Sequence, residues 1–151
     1  MKMLIVLGLL IGALVATPTP TQPPVREKAP PNPVTVPTHV PNAPVVPSFT
    51  AAQAQRGRIA FYENCAECHG AQLEGNFGPP LDDTHGNVQW EPVSFVFSYM
   101  TAFMPSGNAN GLPPDTYLDI MAFLMQQHGH GAGGTALTAA AAKNSKAVLG
   151  P

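Results

Sequence analysis

Eleven of the chain's eighteen prolines crowd into residues 17–47, about one position in three. Proline fixes φ and lacks a backbone N–H, so this stretch builds neither a helix nor a central strand. It samples extended polyproline II at about 3.1 Å per residue and reads as a proline-rich linker. Ahead of it, behind Met1-Lys2-Met3, Leu4 to Ala16 form an uncharged apolar run. As a helix that run is about 20 Å long, short of the roughly 30 Å of a bilayer core. Residues 1–16 therefore read as a secretory signal peptide with the small Ala16 before the cleavage point. A retained leader would instead make the chain a membrane-tethered protein. About 82 residues, 49–130, are left for a folded core, followed by a tail over 131–151 expected to be a flexible extension. A core this small excludes the large barrel and dinucleotide-binding folds and often needs a staple.

Between residues 49 and 130, Arg56 and Arg58 face eight acidic residues, a net charge of −6. That sign argues against a nucleic-acid partner. It favours a neutral or basic protein surface, because complementary charge steers encounter. The chain has two cysteines, Cys65 and Cys68. A disulfide across two intervening residues would constrain almost nothing, since stabilisation grows with loop length. The pair needs another purpose.

Three helical segments are predicted, with no strand alternation between them. The first follows an N-cap at Ser48 or Thr50 and runs to about Asn64. Ala54, Gly57 and Phe61 share one face, and Gly57 in mid-helix suggests the close approach of another helix. The second covers about 92–101, with Phe95, Val96 and Tyr99 as its stripe. The third begins near Pro114, aligns Tyr117, Ile120, Met121 and Leu124, and stops near Gly129. The fold class is all-α. Its loop over 70–91 is long for so small a domain unless it wraps something. Tyr62 and Tyr99 are expected to pack internally.

Cys65-Ala66-Glu67-Cys68-His69 is a C-x-x-C-H motif, the spacing of covalent c-type haem attachment. Thiols three positions apart on a helical turn can reach two vinyl groups of one porphyrin, and the next histidine then lies against the iron. One haem c would be the missing staple. Two other readings use the same cysteines. A redox-active C-x-x-C needs a βαβ context, which is not seen. A zinc site could draw on Cys65, Cys68, His128 and His130, but it leaves His69 without a purpose.

With these residues named, the core resembles a class I cytochrome c domain over roughly residues 50–129. Gly57 and Phe61 resemble the glycine and aromatic of that family's first helix, which packs on its last. Gly78-Pro79-Pro80-Leu81 is similar to its G-P-x-L segment. The resemblance implies a Pro79 carbonyl that accepts a hydrogen bond from His69, and a Leu81 packed on the haem. Met104-Pro105 resembles the distal M-P, which implies His69 as proximal and Met104 as distal iron ligand, with Met100 and His85 as competitors. Met121 and Met125 are expected to fill the core. Trp90 is a candidate donor to a haem propionate.

The resemblance implies a small helical domain, residues 48–130, wrapped around one covalent haem. It implies an exported, periplasmic one-electron carrier and not an enzyme. The tail vaguely resembles extensions of cytochromes that accompany periplasmic dehydrogenases. A periplasmic dehydrogenase is therefore the expected donor, and an oxidase or another cytochrome the expected acceptor. The rival reading is a haem-based module that binds or senses a small ligand through a labile sixth position.

Overall fold

The computed structural model describes residues 44–86 and 88–150. The expected signal peptide and linker residues 17–43 lie outside them. Five helices follow in chain order among the described residues: α1 Ala51–Asn64, α2 Ala66–His69, α3 Val93–Phe103, α4 Pro114–Gln127 and α5 Ala139–Asn144. A 3-10 turn, Val88–Trp90, precedes α3. The only extended pairing among the described residues is an isolated bridge between Pro92 and Val148.

Helix α1 starts where the sequence can satisfy its free N–H groups. The Thr50 side chain accepts from the Gln53 N–H, and the Gln53 side chain accepts from the Thr50 N–H. Helices α3 and α4 open on Pro92 and Pro113-Pro114, whose fixed φ suits a helix entry. Helices α1 and α4 cross at Gly57, where an added Cβ would overlap the Asp119 carbonyl. The close approach expected at that glycine is real. Phe61 is buried one turn further on, with its ring 5.4 Å from that of Phe123. Arg56 braces the crossing through a two-pronged ion pair with Asp119, at 2.7 Å for each contact. Met121 and Met125 are fully buried, as expected of core fillers.

Two expectations are corrected. The buried face of α3 is Val93, Val96, Phe97 and Met100, whereas Phe95 and Tyr99 are about half exposed. Tyr62 is likewise 70% exposed. The run SFVFSYM is apolar nearly all round, so its periodicity alone does not choose a face.

The larger correction concerns residues 131–151, which are packed instead of flexible through residue 150. Leu137, Ala142, Ala147 and Leu149 are buried. Gln53 binds both backbone groups of Leu137, donating to its carbonyl and accepting from its N–H. Further along, Val93 N–H donates to Ala147, Leu149 N–H to Glu91 and Gly150 N–H to Gln89, at 2.8–2.9 Å. The segment is a strap from the start of α1 to the entry of α3.

Candidate functional site

The C-x-x-C-H motif sits on a tight turn. Cys65 ends α1 and begins α2, and its carbonyl accepts from the N–H groups of Cys68 and His69 at 3.1 and 2.9 Å. That geometry places Cys65 and Cys68 at the two ends of a single turn. Both thiols are free and partly buried. Burial, with a smaller contribution from Cys68, pushes the Cys65 thiol up to about 11. A redox-active dithiol needs the opposite shift.

His69 is oriented by the loop that follows. Its Nδ1 lies 2.8 Å from the Pro79 carbonyl oxygen. A carbonyl can only accept, so Nδ1 carries the hydrogen, and in the neutral ring the lone pair is on Nε2. Gly78 makes this approach possible: a Cβ there would stand 3.0 Å from His69 Cε1 and 3.3 Å from the Cys68 carbonyl oxygen. The loop is tied down by Gly78 N–H to the Cys68 carbonyl and Gly75 N–H to the His69 carbonyl, both 2.8 Å.

Met104 caps the C-terminal end of α3 and packs, partly buried, on the hydrophobic core. Tyr117 of α4 donates its hydroxyl to the Met104 carbonyl at 2.7 Å. The two competitors have other surroundings. Met100 is in the buried face of α3, and the His85 ring, 70% exposed, lies 3.1 Å from the Asp82 carboxylate. That carboxylate also accepts backbone N–H groups from residues 84–86. The His85 contacts are the main cause that lowers Asp82 to about 2. Leu81 and Val88 pack beside the core, while Trp90 is 69% exposed on its 3-10 turn. The histidines of the zinc reading are engaged elsewhere: His128 on the Leu81 carbonyl and His130 on that of Leu149.

Two thiols on one turn, an imidazole with a fixed tautomer and partly buried apolar neighbours suit a covalent porphyrin. The family model described as "Cytochrome C oxidase, cbb3-type, subunit III" matches residues 52–124. Two curated proteins are similar over part of the chain. "Cytochrome c-553-like" of Synechocystis is 36% identical over 72 residues, and "Cytochrome c-551" of Bacillus subtilis 32% identical over 60. Residues 52–124 are a class I monohaem cytochrome c domain. The family implies one covalently bound haem c for this domain, with Cys65 and Cys68 in place to hold it. The aligned regions span 66% and 54% of those two relatives' lengths, and 47% and 40% of this chain. Among solved structures, one of the sulfane dehydrogenase SoxCD from Paracoccus pantotrophus is 32% identical, with a TM-score of 0.46, over 50% of this chain and 43% of that one.

Three residues near the site have roles that escape a reading of the sequence. Tyr117 shows there only as part of an apolar stripe, although a buried tyrosine hydroxyl always wants a partner. Gly78 stands in the sequence as the first residue of the G-P-x-L segment, and the structure adds that it makes room for the His69 ring. His128 looks like a helix-end residue or a zinc ligand, and is instead a buried ring whose Nε2 is engaged by the Leu81 carbonyl.

Proposed function

We propose that the chain is an exported monohaem c-type cytochrome that carries one electron at a time. Its donor would be a periplasmic dehydrogenase, and its acceptor an oxidase or another cytochrome. In this reading Cys65 and Cys68 hold the haem through thioethers. His69 supplies Nε2 as proximal ligand, Met104 supplies its thioether as distal ligand, and Leu81 lines the macrocycle, with Trp90 at its propionate edge. The haem, when bound, supplies an iron that cycles between Fe(III) and Fe(II). The chain's own residues orient the ligands and keep water away.

The observation that carries this reading is the 2.8 Å contact from His69 Nδ1 to the Pro79 carbonyl oxygen. It orients the ring and leaves the Nε2 lone pair free for the iron. The partly buried Met104, pinned by Tyr117, supports a filled sixth position. A filled position favours a carrier over a ligand-binding module. The acidic core supports a partner with basic residues around its redox exit.

The visible spectrum of the exported protein tests the reading. Sharp low-spin bands are expected on reduction, together with the weak long-wavelength sulfur–iron(III) band on oxidation. That band should vanish in Met104→Ala. A high-spin wild type would transfer the proposal to the small-ligand module, and a protein without haem after competent maturation would reject both. Electron transfer to the partner should slow as salt rises, because the encounter is steered by charge. Mass spectrometry of the exported N-terminus separates a periplasmic protein from a membrane-tethered one: retention of Met1–Ala16 means a tether.

A further inference from the structure

His128 caps the C-terminal end of α4 and is 1% exposed. Its Nε2 lies 2.9 Å from the Leu81 carbonyl oxygen. The carbonyl only accepts, so Nε2 carries the hydrogen and Nδ1 is a bare lone pair. That lone pair is buried with no hydrogen-bond partner. An unpaired buried acceptor is unfavourable, and a purely apolar side chain would avoid it. What the histidine gains is the one bond to Leu81. Burial lowers its pKa more than the Leu81 bond and the nearby Asp83 and Asp82 raise it, while His130 adds to the lowering, so the ring is held neutral.

Leu81 is gripped from its other side as well. Its N–H donates to the Leu73 carbonyl at 2.7 Å, and the Asp82 N–H shares that acceptor at 3.2 Å. Only Pro80 separates Leu81 from Pro79. Both prolines have φ locked by their rings, so a displacement of Leu81 carries through to Pro79 instead of dissipating. The Pro79 carbonyl is the acceptor that orients His69. Helix α4, anchored on α1 at Gly57, thus reaches the proximal side of the site through His128.

We propose that His128 is a positioning residue for the proximal histidine. Its Nε2–H, acting through the Leu81 carbonyl and the stiff Pro79-Pro80 pair, fixes the acceptor that orients His69. This deepens the reading above and rests on His69 being the proximal iron ligand.

The test compares full-length, haem-loaded wild type with His128→Phe, which fills the space without a donor, and His128→Gln, which keeps an N–H. Two quantities are read: hydrogen exchange at His69 Nδ1 by NMR, and the midpoint potential. In His128→Phe the exchange should quicken about tenfold as the protecting bond loosens. The potential should rise, because a more weakly bonded imidazole donates less to Fe(III). His128→Gln should recover most of both. Unchanged exchange and potential in His128→Phe would overturn the inference while leaving the carrier reading intact. Equal changes in both variants would overturn it too, since shape and not the donor would then matter. If His128→Phe fails to load haem, His128→Met, with no donor and a more adaptable side chain, makes the same comparison. A wild type lacking the spectroscopic signature of His69 ligation would reject the proximal assignment, and with it this inference.

Discussion

The α1–α4 crossing and the C-terminal strap are both built onto α1, but by different means. The crossing is set by side chains and, at Gly57, by the lack of one. Gly57 admits the Asp119 backbone, Phe61 meets Phe123, and Arg56 closes on the Asp119 carboxylate. The strap is tied mostly by backbone groups: both polar atoms of Leu137 on Gln53, and the Ala147, Leu149 and Gly150 bonds around the entry of α3. A side-chain contact leaves a periodic pattern in the sequence. A backbone contact leaves none, because every residue carries the same groups.

The comparison can be broken most severely at the crossing. Gly57→Val should cost about 4 kcal/mol, since backbone and not a flexible side chain stands in the way of its Cβ. Urea unfolding should show a lower midpoint with an unchanged slope. Removing residues 132–151 strips Leu137, Ala142, Ala147 and Leu149 from the core. This should cost about 3 kcal/mol in the same assay, less than their full burial is worth because the exposed surface can relax. A flexible tail would cost nothing.

Gln53→Ala separates the two regions' shares. It removes the N-cap box and strands the Leu137 N–H and carbonyl, for about 2 kcal/mol. In the shortened chain the same substitution should cost only the cap's part, about 0.5–1 kcal/mol. Equal costs in both backgrounds would show that Gln53 does not hold the strap.

The smallest effects are in pH. His128 is neutral and its folded pKa lies below the ordinary 6.5, so the unfolded chain binds more protons as pH falls past that value. Stability should be full above about 6.5 and decline below it, until the folded pKa is passed. His128→Phe should lose that decline. Asp82 acts in a separate window: its pKa is lowered to about 2, so its contribution is present above about 4 and lost as pH falls from there to 2. Thermal melts between pH 8 and 2 should resolve the two steps, and Asp82→Asn should remove the lower one.

Much of the site was legible for a covalent reason. Cys65, Cys68 and His69 lie within five consecutive residues, so their spacing sets their geometry once a helical turn forms. The Pro79 carbonyl was expected from the resemblance and lies where His69 Nδ1 can reach it. The faces of α3 were less legible. Phe95 and Tyr99 are as apolar as Val93 and Phe97, and only the packing partners decide which pair is covered.

By itself the sequence determined the starts of α1, α3 and α4, the turn that presents both thiols and the histidine, and the glycine at which two helices cross. These follow from local sterics, fixed spacing and apolar periodicity. Only the tertiary structure decided that the alanine-rich end is a strap, that Tyr117 holds the Met104 carbonyl and that His128 reaches Leu81. Those contacts join residues 13 to 84 positions apart, through carbonyls and N–H groups that no residue type reveals.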